Sequence, residues 1–250
     1  MKITFLGTSH GVPAADRYCT SVMLEAGENV YLLDAGAPVI NLMLKMGIDL
    51  KKLKAVFISH THMDHTAGLP DLACLMNWYF TDTAADFFVP ETEYLEILKK
   101  YITVADGCAI NEERIRMRVI DTGYIFDDDT IKVEAIPTKH MPDGRLSFAF
   151  LITEKESGKK LLFSGDFSNR LRKADVPEVL AKEKTDAFIC ELAHFTLDDI
   201  APYLDTCLAK SVYFTHVFPI EKYDGILALK EEGRYGFDIF TPNDGEIYEV

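Results

Sequence analysis

The segment His60-Thr61-His62-Met63-Asp64-His65, entered from the apolar run Ala55-Val56-Phe57-Ile58, constrains this chain more than any other feature. Three imidazoles and a carboxylate packed so tightly are too costly to bury unpaired. They suit divalent cations, which take imidazole nitrogen and carboxylate oxygen as ligands. A strand over the apolar run ends at Ser59 and releases the histidines into a loop. His60 and His62, two apart in extended chain, then point the same way, while Asp64 and His65 turn toward a second position. The competing reading is a polar loop that happens to be rich in histidine.

The rest of the chain supplies further ligands. His140 follows the strand-like Ile131-Lys132-Val133-Glu134-Ala135-Ile136, Asp166 follows Leu161-Leu162-Phe163-Ser164-Gly165, and His216 follows Val212-Tyr213-Phe214-Thr215. Each sits just past a short apolar run and reads as a strand-end residue. Strand-end loops on a rigid sheet are where functional groups usually lie. Five His and two Asp suit two metals, and none of the candidates is a thiolate.

Together, HxHxDH, a later lone His, Ser-Gly-Asp after a strand and a late Thr-His resemble the metallo-β-lactamase superfamily over nearly the whole chain. The start, Phe5-Leu6-Gly7-Thr8-Ser9-His10-Gly11-Val12-Pro13 with Arg17, is similar to the ribonuclease Z branch, as is the turn Leu32-Leu33-Asp34-Ala35-Gly36. The resemblance implies an α/β fold of αββα sandwich type, with mixed sheets, helices on the outer faces and the site at one edge between the sheets. It implies that His60, His62 and His140 hold one metal, that Asp64, His65 and His216 hold the other, and that Asp166 bridges them. Two departures stand out. The 26 residues from His140 to Asp166 leave no room for the tRNA-gripping arm that ribonuclease Z carries there. Between Glu191 and His216 only His194 appears, without the His-Ser-Thr motif.

Read coarsely, strands alternate with helices in a layered α/β arrangement. Strands are expected at 2–6, 21–26, 29–34, 115–120, 131–136, 147–152, 160–164, 186–190, 211–215, 237–240 and 246–249. Helices are expected near 38–46, 67–80, 91–102, 198–209 and 221–232. No repeat, linker or low-complexity tract interrupts residues 1–250, which are expected to form a single domain. The apolar stretch Leu69, Leu72, Leu75, Met76, Trp78, Tyr79 and Phe80 reads as core, with a homodimer face or a pocket wall as the other readings.

A net charge of −14 disfavours long nucleic acid, whose binding depends on phosphate neutralisation by Lys and Arg. A small anionic substrate remains compatible with two metals. Five scattered cysteines without a CxxC read as reduced thiols. The N-terminus lacks a signal-peptide pattern and no apolar run suits a bilayer, so a cytoplasmic protein without a membrane partner is the expectation.

Asp34 reads as an architectural residue beside the ligands. Glu191, at a strand end, is placed to orient a ligand imidazole. Arg17 and Arg170 are candidates for substrate anions, since a guanidinium grips phosphate in a fork. Asp64 is both a ligand and a candidate proton acceptor, and His194 a candidate proton donor. Two close metals lower the pKa of a shared water from 15.7 toward about 7. Zinc is the first expectation, with manganese or iron alternatives because N/O ligation does not choose among them. The expected function is a phosphodiesterase acting on a small or cyclic phosphodiester through a metal-activated bridging hydroxide. The alternatives are a carboxylic ester, lactone or thioester hydrolase at the same metals, a di-iron redox protein, and a non-catalytic metal-binding sensor or interaction module.

Overall fold

The alternation of apolar and polar residues along Ile131-Lys132-Val133-Glu134-Ala135-Ile136 becomes a strand whose odd-numbered side chains are buried and whose even-numbered ones are half-buried. Uninterrupted apolar runs such as Leu161-Leu162-Phe163 become strands covered on both faces. The structure, a computed structural model, describes residues 1–12, 14–142, 144–168 and 175–250. In chain order its elements are β1 (Lys2–Gly7), β2 (Ser21–Ala26), β3 (Asn29–Leu33), α1 (Val39–Lys45), β4 (Leu53–Phe57), α2 (Met63–Thr66) and α3 (Leu69–Trp78). Then come β5 (Ala85–Val89), α4 (Thr92–Asp106), β6 (Ile115–Val119), β7 (Gly123–Asp127), β8 (Ile131–Thr138), β9 (Ser147–Glu154) and β10 (Lys160–Phe163). The chain continues through α5 (Val179–Lys182), β11 (Thr185–Leu192), α6 (Leu197–Leu204), β12 (Ala209–Val217), α7 (Lys222–Glu232), β13 (Asp238–Phe240) and β14 (Ile247–Glu249).

The strands form two seven-stranded mixed sheets, ordered β14-β1-β2-β3-β4-β5-β6 and β13-β12-β11-β10-β9-β8-β7. Between them lies an aromatic-rich core that includes Phe5, Tyr31, Phe57, Phe150 and Phe163. A second apolar layer joins the outer face of the first sheet to α1, α3 and α4 through Met43, Leu72, Met76 and Leu98. A third joins the second sheet to α5, α6 and α7 through Leu180, Ile200 and Ile226. Helix, sheet, sheet, helix is the αββα sandwich expected from the sequence.

The differences are local. The helix expected over 67–80 is α3, Leu69–Trp78, and the short α2 precedes it; between them Gly68 donates its N–H to Ala35 O (2.8 Å) and ties the junction to the Asp34–Gly36 turn. Helix α4 runs on to Asp106 and ends at Gly107, whose φ of 68° is the left-handed cap that glycine adopts freely. The helix expected over 198–209 stops at Leu204, and Leu208 N–H goes instead to Leu180 O as the chain enters β12. β5 and β7 are additional strands. Leu69, Leu72 and Met76 are core residues, whereas Trp78 and Tyr79 are 56% and 65% exposed. No helix among the described residues is long and apolar enough to cross a membrane.

Candidate metal centre

All the candidate ligands whose strands were foreseen come together at one edge of the sandwich. His60 and His62 follow β4, His140 follows β8, Asp166 follows β10, His194 follows β11, and His216 lies at the end of β12. Asp64 and His65 are in α2, one turn beyond the loop, so the change from extended chain to helix aims them at a second position.

Three groups of ligand atoms converge, each within 4.8 Å: His60, His62, His140 and Asp166; Asp64, His65 and His216; and Asp166, His194 and His216. In the first, His62 Nδ1 is 3.0 Å from His60 Nε2 and 3.1 Å from His140 Nε2. Asp166 Oδ2 is 3.6 Å from both of those Nε2 atoms. A tetrahedral ion with bonds of about 2.0–2.1 Å separates its ligands by roughly 3.3 Å, so these spacings fit one. In the second group, Asp64 Oδ2 is 3.4 Å from His65 Nε2 and 3.7 Å from His216 Nε2. Asp166 closes this group too, at 3.5 Å from His65 and 3.4 Å from His216.

Hydrogen bonds behind the rings decide which nitrogen faces the centre. His65 Nδ1–H donates to Asp34 Oδ2 (2.6 Å), and His140 Nδ1–H donates to Phe167 O (3.2 Å). Ser59 gives its hydroxyl proton to Asp34 Oδ2 (2.8 Å) and accepts from His60 Nδ1–H (3.0 Å). In the neutral ring each Nε2 is thereby left with its lone pair toward the centre, the arrangement that ligand imidazoles need. Lone pairs converging at 3 Å repel unless a cation lies between them. His65 Nε2 and Asp166 Oδ1 are buried without any hydrogen-bond partner among the described residues, which is costly unless a ligand satisfies them.

The local field points the same way. Asp34, Asp166 and Glu191 are at most 2% exposed and Asp64 is largely covered. Their ion-pair partners among the described residues are histidines only. Burial would lower the basicity of His65, but Asp166 and Asp34 outweigh it and hold its pKa well above the usual value. Burial keeps that of His60 well below. Burial would also raise Asp64, yet the hydrogen bond and charge of His65 bring it down to about 2. The centre draws positive charge.

Glu191 sits behind His194: Oε1 accepts His194 Nδ1–H (2.9 Å) and Phe167 N–H (3.0 Å), and Oε2 accepts Ala193 N–H (2.6 Å). Two residues with no sequence signature complete the frame. Lys222 donates to the carbonyls of Leu192, Ala193 and Phe195 at 2.9, 3.0 and 2.7 Å, pinning the His194 loop to the start of α7. Asp175 accepts the backbone N–H groups of Lys139 and Ser168, joining the His140 and Asp166 loops.

Of the two arginines, Arg170 lies outside the described residues. Arg17 is engaged elsewhere than at the ligands: it donates to Thr8 Oγ1 (2.6 Å), Pro242 O (3.1 Å) and Asn243 Oδ1 (2.8 Å), and its guanidinium lies over Tyr223. It stitches the first loop to the C-terminal segment. His10 stacks on Phe218, with ring centres 4.0 Å apart, at the margin of His216.

Comparison with known proteins bears on the family and the fold. A family model described as anti-Pycsar protein Apyc1 matches residues 1–232. The ribonuclease Z of Picosynechococcus is 31% identical over 160 residues, covering 62% of this chain and 48% of that protein. The chain thus spans about half the length of the curated relatives it matches. Among solved structures, the metallo-β-lactamase fold protein YhfI of Bacillus subtilis superposes with a TM-score of 0.78 at 17% identity, covering 100% of this chain and 99% of that one. The short form of human tRNase Z gives a TM-score of 0.76 at 21% identity with the same coverage. The fold is that of the metallo-β-lactamases.

Proposed function

The chain belongs to the family described as anti-Pycsar protein Apyc1, and on that premise we propose that it is a dinuclear-metal hydrolase acting on a small or cyclic phosphodiester. The observation that carries this reading is the pair of converging donor sets that share Asp166, each with ligand spacings near those of a tetrahedral ion.

His60, His62, His140 and Asp166 would hold one ion, and Asp64, His65, His216 and Asp166 the other. Zinc suits the N/O donors, as do manganese and iron. Two such ions, when bound, lower the pKa of a water toward about 7 and polarise a phosphoryl oxygen. The protein's own groups do the rest. Asp64, ionised because His65 and His216 outweigh its burial, accepts and orients the proton of the attacking water. His194, 3.7 Å from Asp166 and held by Glu191, has its pKa raised by that carboxylate against the effect of burial. It is placed to deliver a proton to the oxygen that leaves as the P–O bond breaks.

A small substrate is favoured over a long RNA on two counts. β9 and β10 fill the interval between His140 and Asp166, where an RNA-gripping arm would need to be inserted. The chain carries a net charge of −14, against the counterion release that long nucleic acids demand.

The test is hydrolysis of a bis-aryl phosphodiester beside a simple lactone, with protein reconstituted separately with zinc and manganese and Asp64→Ala as the blank. Turnover of the phosphodiester, abolished in the variant, supports the proposal. Turnover of the lactone alone refutes it in favour of a carbonyl hydrolase. No turnover of either, with metals still bound, points to a sensor or interaction module.

A further inference from the structure

His216 takes its orientation from residues that lie 196 and 207 positions away in the chain. Its φ of 53° places a non-glycine residue in the left-handed region, a conformation that persists only when the surroundings enforce it. Its backbone N–H donates to Thr8 O (3.1 Å). Its Nδ1 faces Thr20 Oγ1 at 2.7 Å and Ser9 O at 3.2 Å. Thr20 spends its own hydroxyl proton on Ser9 O (2.9 Å), so both neighbours can only accept from the ring. Nδ1 therefore carries the proton, and Nε2 faces Asp166 and Asp64 with its lone pair.

Everything that sets this ring comes from residues 8, 9 and 20, in the excursion between β1 and β2. These residues lie outside the two strands, since β1 ends at Gly7 and β2 begins at Ser21; an isolated bridge pairs Ser9 with Cys19, and Gly36 N–H donates to Thr20 O (3.0 Å). One carboxylate ties both limbs to the C-terminal segment. Asp244 Oδ1 accepts Thr8 N–H (2.9 Å) and the Thr8 hydroxyl (2.7 Å), and Oδ2 accepts Tyr18 N–H (2.5 Å). Ser9 N–H donates to Tyr18 O (2.8 Å), so both limbs of the excursion close on Asp244. Arg17 reinforces the junction by bridging Thr8 Oγ1 to Pro242 and Asn243.

We propose that Asp244 is a positioning residue for His216, acting through Thr8, Tyr18 and Ser9, and that the C-terminal segment thereby sets the affinity of the ion at Asp64, His65 and His216. Asp244 lies beyond the span of 1–232 matched by the family model. The inference rests on the two-ion reading of the centre. It distinguishes the two ions: His60 and His140 take their support from Ser59 and Phe167, not from the first loop.

Two variants test it. Asp244→Asn keeps the shape but replaces one accepting oxygen with an NH2 group, which cannot serve three donors. Thr8→Val is the milder break: it keeps the Thr8 N–H contact to Asp244 and removes the hydroxyl that donates to Asp244 and accepts from Arg17. Zinc alone is titrated into metal-stripped wild-type and variant protein, with ions per chain counted after gel filtration. Spectra of 15N-labelled histidine report the ring tautomers of the metal-free forms. The wild type is expected to bind two ions. Asp244→Asn is expected to keep one at wild-type affinity and to bind the other about 10–100-fold more weakly, the usual cost of losing a ligand's supporting contact. Thr8→Val is expected to move in the same direction, and both variants to lose one Nδ1-protonated tautomer. Two ions at unchanged affinity in both variants overturn the inference while leaving the two-ion reading intact. Equal weakening of both ions also overturns it, since that is general disruption. A wild type that binds fewer than two ions overturns the two-ion reading itself and the inference with it.

Discussion

Replacing Asp34 by Asn should weaken the metal centre without removing a ligand. Asp34 is fully buried at a φ of 57°, which Asn tolerates, so the backbone is not the issue. Its carboxylate accepts three hydrogen bonds: Ser59 N–H at 2.7 Å, Ser59 Oγ–H at 2.8 Å and His65 Nδ1–H at 2.6 Å. An amide oxygen can keep the first, but the NH2 group then faces Ser59 Oγ and His65 Nδ1. The imidazole must move its proton to Nε2, the nitrogen that faces the centre, or leave two donors opposed. Losing a hydrogen bond to a charged group costs about 1.5–3 kcal/mol. Supporting carboxylates behind ligand histidines are worth about 10–100-fold in metal affinity, or about 1.4–2.8 kcal/mol, which agrees. The assay is competition for zinc against a chromogenic chelator, with thermal unfolding of the metal-free protein in parallel. A chain of this size is expected to lose about 2–4 °C per kcal/mol. Unchanged zinc affinity together with unchanged thermal stability would refute the argument that Asp34 fixes the His65 tautomer.

Other consequences follow from the same geometry. Gly36→Ala would place a Cβ 2.4 Å from Asp64 O and 2.6 Å from Cys19 Cβ; backbone must shift, and destabilisation of about 1–3 kcal/mol or more in a urea titration is expected. His194→Ala should lower turnover of an alkyl phosphodiester by about 10²–10⁴-fold while sparing a nitrophenyl leaving group, which departs without a proton; equal losses on both substrates would remove His194 from the role of acid. Stripping ions with a chelator should lower the unfolding temperature, because an ion present at 100 times its Kd adds about 2.7 kcal/mol per site; no shift in calorimetry would count against tight binding. Lys222→Met should leave zinc uptake at His60, His62 and His140 unchanged yet slow hydrolysis of the alkyl phosphodiester as His194→Ala does, since it removes the ammonium that pins three carbonyls of the same loop.

The candidate ligands that converge in the fold were legible because metal chemistry leaves a local trace. His60, His62, Asp64 and His65 are neighbours in the chain, and His140, Asp166 and His216 each follow an apolar run that had to become a strand. Glu191 was legible as a strand-end carboxylate, although the ring it holds is that of His194. The supporting residues were not legible. Thr20, Lys222, Asp175 and Asp244 act across the fold, Thr20 reaching His216 from 196 positions away, and no periodicity encodes such a contact. Arg17 was singled out for its charge, yet the fold uses that charge on the 242–243 backbone and Asn243. β7 escaped notice because it is a short edge strand, half-exposed and paired, among the described residues, with β8 alone. The end of α6 escaped because a contact between Leu208 and Leu180, not a helix-breaking residue, decides it.

The two-ion centre is tested most directly by anomalous diffraction at the zinc edge from crystals grown with zinc. Two peaks are expected, one enclosed by His60, His62 and His140 and the other by Asp64, His65 and His216, with Asp166 between them. A single peak, or peaks that leave Asp166 without a metal neighbour, would contradict the dinuclear assignment on which the proposed hydrolysis depends.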